Sequence, residues 1–257
     1  MEFLELSESI FQKWVNKDFK GYDSYMLKYF QLDYCPEPYL LLKGKVDSYN
    51  SKTLYFLTTN PGRGEDYQHI NSVNKDVLSS ELTYKENSKM LSSIYLKSIN
   101  NVKGKINKKA SDRIKDMLKI GEDFDNIIQI ETFPLHSESL PINHKLKIVN
   151  NYNNKSKFTF TYLESLKSYL LDKNVIAISS WNDEWFNFQK GIIMLPESAK
   201  EATLCTKMGQ PTGKFVNGFL NSNIKGLTKI QGNNNLPAES GKNIILKELT
   251  KLKGEFS

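Results

Sequence analysis

Leu54 to Thr59 is a short run of apolar, aromatic and β-branched side chains that stops at Asn60-Pro61-Gly62-Arg63-Gly64. A run of that length without polar alternation predicts a strand buried on both faces, as in a parallel sheet. Proline brings no N–H to a ladder. The two glycines remove the Cβ atoms that would hold a ligand off the main chain, so the strand has to end in an open loop. Glu65, Asp66, Tyr67 and His69 follow at once. In open α/β sheets ligands bind beyond the carboxyl ends of the strands, which makes this loop the first candidate for chemistry. An isolated Asn-Pro-Gly also serves as a plain turn.

Three further runs repeat the pattern: Asn126 to Glu131, Val175 to Ser180, and Leu227 to Gln231. Each empties into a polar loop: Thr132-Phe133-Pro134-Leu135-His136-Ser137, then Trp181-Asn182-Asp183-Glu184-Trp185, then Gly232 to Leu236 with Pro237. Between them apolar residues recur at helical spacing. Met90, Leu91, Ile94, Tyr95 and Ile99 form one face, Ile114, Met117, Leu118 and Ile120 another, and Phe160 to Leu171 a third helix. Ser240 is a fitting N-cap for a last helix through Ile244, Ile245, Leu246, Leu249 and Leu252. Upstream, Phe3, Leu4, Ile10, Phe11, Trp14 and Val15 predict a first helix, and Tyr22 to Tyr34 a second that ends before Pro36 and Pro38. The expected fold is α/β: a three-layer α/β/α arrangement around a central four-stranded, mainly parallel sheet with a helical N-terminal extension. It is read as a single domain over residues 1–257, with the extension over 1–50 and the core over 51–257.

Charge and cysteine usage narrow the function classes. The formal net charge is +6. Between Lys97 and Lys119 stand Lys97, Lys103, Lys105, Lys108, Lys109, Arg113, Lys115 and Lys119 against only Asp112 and Asp116. Such a segment suits phosphate contact, and equally a solvated loop. The two cysteines, Cys35 and Cys205, lie far apart and outside any CxxC, so a zinc or iron–sulfur site is not expected, and three histidines are too few for a His-rich one. No metal and no cofactor is assigned. No stretch approaches the roughly 18 apolar residues of a membrane span. The acidic, amphipathic start is unlike a secretion signal, and the expected location is cytoplasmic.

Asn60-Pro61-Gly62 after the first core strand, Phe133-Pro134-Leu135 after the second, and the strand rhythm over residues 50–252 resemble the uracil-DNA glycosylase superfamily, in particular its mismatch-specific and single-strand-selective branches. The resemblance implies a DNA glycosylase that flips a base out of DNA and hydrolyses its N-glycosidic bond, in repair or in defence against foreign DNA. It implies that Asn60 orients the attacking water and that main-chain donors around Gly62 face the base or its sugar. Where those branches carry an Asn at the end of the second strand, this chain has Glu131, and Asn233 to Ala238 replace their late His-Pro-Ser motif.

The chemistry of the residues extends that expectation. Asp66 or Glu65 is suited to act as general base or to lie near the developing sugar cation. Arg63 is one of two arginines, and its guanidinium suits bidentate phosphate contact. DNA is the expected partner, through Arg63 and the Lys97–Lys119 segment. His136 is the candidate donor to the leaving base at a pocket rim. Tyr67, Phe133 and Trp181 are candidates for stacking on an extruded base, with Pro61 and Gly64 completing the binding loop. An ionised Glu131 only accepts hydrogen bonds, so it would repel the O4 of uracil and accept from the N4 amino group of cytosine. An amino-bearing or otherwise modified or mismatched base is therefore expected over uracil. Two other functions share these features: a non-catalytic nucleic-acid-binding module, and a small-molecule nucleotide or nucleoside hydrolase.

Overall fold

The computed structural model describes residues 2–46, 52–59, 61, 81–100, 114–115, 117–119, 121–137, 142–170, 173, 175–180, 188 and 226–230. In chain order its elements are α1 (Phe3–Val15), α2 (Ser24–Tyr29), β1 (Tyr39–Lys43), β2 (Thr53–Thr58), α3 (Tyr84–Asn100), β3 (Asn126–Glu131), α4 (Ile142–Asn153), α5 (Lys157–Leu170), β4 (Val175–Ser180) and β5 (Gly226–Ile230). The α/β class holds. The sheet itself differs from the four-stranded expectation: among the described residues it has five strands in the order β1-β3-β2-β4-β5. β1 runs antiparallel to β3, while β3, β2, β4 and β5 are parallel.

Alternate strand residues face opposite sides of the sheet, as the pleat imposes, and both sides are buried. Tyr39, Leu41, Tyr55, Leu57, Ile128 and Ile130 join one apolar cluster with Phe3, Ile10, Phe11, Ile148, Tyr162 and Leu166. The alternate residues Leu40, Leu42, Leu54, Phe56 and Ile127 are buried as well. Gly121 lies against Ile127, so close that a Cβ there would meet the Ile127 side chain at 2.6 Å.

α1 forms because Phe3, Leu6, Ser7, Ile10, Phe11 and Trp14 share one buried face. The Glu5 carboxylate accepts the Glu2 N–H at its start. Its end is a Schellman turn: Lys17 N–H donates to Trp14 O and Asp18 N–H to Lys13 O, with Lys17 at φ 52°. α4 ends the same way at Lys155, φ 53°. α3 starts on a capping box in which Thr83 N–H donates to Glu86 Oε2 at 2.9 Å and Glu86 N–H to Thr83 Oγ1.

The sequence pattern marks neither β1 nor α4, and it makes the second helix too long. β1 falls inside residues 1–50, so that segment is not a purely helical extension but contributes the antiparallel edge strand. α3 covers this edge: Tyr84 Oη donates to Tyr39 O at 2.7 Å and Leu41 N–H donates to Ser88 Oγ at 2.9 Å, from one face of the helix. α4 was missed because its asparagine-rich sequence dilutes the apolar period. The second helix is only Ser24–Tyr29, because Phe30 is already extended and Gln31 N–H donates to His136 O.

Gly44 turns the chain out of β1 at φ +79°, where a Cβ would meet Asn126 Oδ1 at 2.0 Å and Asp125 O at 2.4 Å. Gly44→Ala is expected to cost about 2–4 kcal/mol, because left-handed strain and a backbone clash add. Gly21→Ala, at φ +87° with open space around it, should cost only about 1 kcal/mol. Urea unfolding of the two variants beside the parent checks the difference.

Candidate functional site

β2 and β3 end in register, with Thr58 opposite Glu131. The ladder continues past the last strand pair: Thr132 N–H donates to Thr58 O at 2.9 Å and Phe133 N–H to Thr59 O at 3.0 Å. Thr132 Oγ1 also donates to Thr58 O. The loop then turns so that Ser137 N–H reaches Pro61 O at 3.3 Å, which sets Pro61 beside the loop after β3 at the carboxyl edge of the sheet. On its other flank the same loop is held by the segment leading into β1. Glu37 N–H donates to Pro134 O at 2.9 Å, Gln31 N–H to His136 O at 3.0 Å, and Glu131 N–H to Pro38 O at 3.0 Å. Prolines suit these positions because each supplies a carbonyl and leaves no N–H to satisfy.

His136 does not stand at a rim. Its Nε2 lies 3.3 Å from Glu37 Oε1, with the side chains 1% and 4% exposed. The Tyr34 ring packs 5.6 Å away. A pair this deep braces the loop to the β1 approach. Glu37 also leaves an electrostatic mark on its neighbours. Burial first, then its charge, pushes the Cys35 thiol well up. Burial chiefly, with charge contributions that include Glu37, does the same to the Tyr84 phenol.

Phe133 corrects another expectation. Its ring is 0% exposed and packs 4.8 Å from Phe30 and 6.5 Å from Tyr162, centroid to centroid. Enclosed by its own core, it has no face to offer an extruded base.

Glu131 closes β3 as a buried carboxylate. Its Oε1 accepts from Gln129 Nε2 at 2.7 Å, and the same amide lies 3.4 Å from Thr58 Oγ1. Thr58 Oγ1 in turn donates to Ile130 O at 3.1 Å. Tyr162 Oη donates to the Glu131 carbonyl at 2.8 Å, and burial followed by the Glu131 charge holds that phenol well above its ordinary range. Glu37, Gln129 and Tyr162 were not anticipated. Only Gln129 carried a signal, as the residue two before Glu131 and hence on the same strand face.

Of the other loop residues named from the sequence, Pro61 is brought to this edge. Asn60, Gly62, Arg63, Gly64, Glu65, Asp66, Tyr67, His69, Trp181, Trp185, Leu236 and Pro237 lie outside the described residues. So does most of the Lys97–Lys119 segment, of which Lys115 and Lys119 are described with their side chains. Among the described residues no group of three or more His, Cys, Asp or Glu side chains could hold a metal ion, and no helix is long and apolar enough to cross a membrane. No family model matches the chain, and neither does any curated protein or solved structure.

Glu37→Ala should destabilise the fold by about 3 kcal/mol, because it removes a buried partner of His136 and loosens the loop; chemical denaturation measures this. Lys145, in the first turn of α4, has its amine pushed down to about 8 by burial. The unfolded chain keeps that amine charged up to its ordinary 10.5, so between these values the unfolded state holds the extra proton and stability rises with pH. Thermal melts from pH 7.5 to 10 should therefore show a gain in the parent that Lys145→Met lacks.

Proposed function

We propose that this protein is a hydrolase that extrudes a base from DNA and cleaves its N-glycosidic bond, on a three-layer α/β/α core of uracil-DNA glycosylase type. The observation that carries this reading is the strand order. β2 lies between β3 and β4, so the chain moves to one side of β2 for β3 and to the other for β4. The carboxyl end of β2 is thus a topological switch point, where α/β sheets open a crevice. Asn60-Pro61-Gly62 begins two residues past Thr58, the last residue of β2.

In this reading Asn60 orients a water for attack on C1′ of the deoxyribose. The water oxygen bonds to C1′, the C1′–N bond breaks with its electron pair leaving on the base, and the water proton passes to Asp66 or Glu65. Main-chain donors around Gly62 hold the departing negative charge. His136, buried against Glu37, serves by holding the loop after β3 beside Pro61. Tyr67 and Trp181 stack on the base, and Arg63 with the Lys97–Lys119 segment takes phosphates. In this reading the buried Glu131 sets base preference by exchanging its hydrogen bond from Gln129 for one from an exocyclic amino group of the base.

Duplexes and single strands bearing uracil, mismatches or modified cytosines, incubated with the protein and then cleaved at abasic sites, test the reading. Mass analysis should detect a released base. Asn60→Ala should slow release by about 100-fold or more, the scale of losing a positioned catalytic group, and Glu131→Gln should shift preference toward uracil. Salt-sensitive binding with no base released from any substrate would favour the non-catalytic module. Turnover of free nucleosides alone would favour the small-molecule hydrolase.

A further inference from the structure

Away from the loops after β2 and β3, one cluster of cations is built around a tyrosine. Lys147 Nζ, from α4, donates to Tyr29 Oη at 2.9 Å and lies 4.0 Å from the centre of its ring. Lys28 Nζ lies 5.3 Å from the same centre, and the His144 ring packs 4.3 Å from it. The hydrogen bond from Lys147 is the main cause that draws the Tyr29 phenol below its ordinary range, with the charges of Lys147 and Lys28 adding to it. His144 is held down by burial and then by Lys147. Among the described residues neither Lys28 nor Lys147 is paired with a carboxylate. His144 Nδ1 is buried without a hydrogen-bond partner there.

The cluster is tied to the candidate site through the backbone. Gln31, two residues after Tyr29, donates its N–H to His136 O, and α4 begins at Ile142, shortly after Ser137 meets Pro61. We propose that Lys28, Tyr29, His144 and Lys147 form a contact for the phosphodiester backbone of nucleic acid flanking the base held at the carboxyl end of β2. The choice of nucleic acid as the polyanion rests on the glycosylase reading, whereas binding by the cluster does not require catalysis.

The chemistry fits a phosphodiester. An ammonium has three donors, and Tyr29 uses one of those on Lys147, leaving two for phosphate oxygens while the phenol fixes the head group. Two separate point charges suit successive phosphates along a strand. A membrane surface is a poorer match, because Leu27, 52% exposed, is the only large exposed hydrophobic among the described residues.

The test is fluorescence anisotropy with an undamaged oligonucleotide, single-stranded and duplex, over a range of salt. Lys28→Ala/Lys147→Ala should weaken binding roughly tenfold at low salt and reduce the slope of log affinity against log salt by about two, one per lost phosphate contact. Tyr29→Phe should weaken binding about two- to threefold, by freeing Lys147 of its anchor. Thermal melting of each variant separates a lost contact from a lost fold, because Lys28 is exposed whereas Tyr29 and Lys147 are half-buried. Unaltered affinity and slope in the double variant would overturn the proposal. So would absence of oligonucleotide binding by the parent, or a loss seen only on vesicles rich in phosphatidylserine. Base release is read in parallel. Weaker binding in the variant with no base released from any substrate keeps the contact and sinks the hydrolase, and base release with unaltered binding does the reverse.

Discussion

The complete burial of β3 is the constraint on which the rest of the structure depends. Every residue from Asn126 to Glu131 is buried, with β1 hydrogen-bonded along one edge and β2 along the other. Water cannot satisfy polar groups there, and a buried unpaired donor or acceptor costs about 1–3 kcal/mol. The chain therefore has to supply partners from within. Asn126 Oδ1 accepts the Lys45 N–H and its amide donates to Thr53 Oγ1, tying the turn after β1 to the start of β2. At the other end Gln129, Thr58 and Tyr162 serve the atoms around Glu131. The same demand extends into the loop after β3, which is hydrogen-bonded on both flanks.

That loop is consequently a fixed wall. Its polar side chains look catalytic in the sequence, yet Phe133 completes the aromatic core and His136 is turned inward to Glu37. Burial first, with the charge of Glu37 or Glu131 adding to it, raises the Cys35 thiol and the Tyr84 and Tyr162 phenols above their ordinary ranges, since both effects disfavour a thiolate or phenolate. Cys35 is accordingly a structural thiol and not a reactive one. In the proposed function the chemistry falls to Asn60 and the residues that follow it in sequence, and the loop after β3 supplies the wall against which they work.

The first fifty residues are integral to this arrangement. α1 buries its apolar face against α5 and α3, and Trp14 Nε1 donates to Leu32 O, fixing the segment that approaches the loop. From there Gln31, Glu37 and Pro38 grip the loop after β3, and β1 closes the sheet. Asp23 continues the same integration by accepting from the Thr159 hydroxyl and main chain near the start of α5.

What the sequence alone determined is what periodicity encodes. β2, β3 and β4 lie where unbroken apolar runs stood, and α1, α3 and α5 where apolar residues recurred at helical spacing, because both repeats are imposed by backbone geometry within a few neighbouring residues. What only the tertiary structure decided depends on residues far apart in the chain. β1 was hidden among prolines in a stretch dominated by helical signals, and it became a strand because β3 and α3 were there to satisfy its two edges. Glu37 is unremarkable by position and matters only because folding sets it beside His136, as Tyr29 matters because folding sets Lys147 against it. A side chain's role follows from the groups that surround it after desolvation, and no local pattern records which groups those will be.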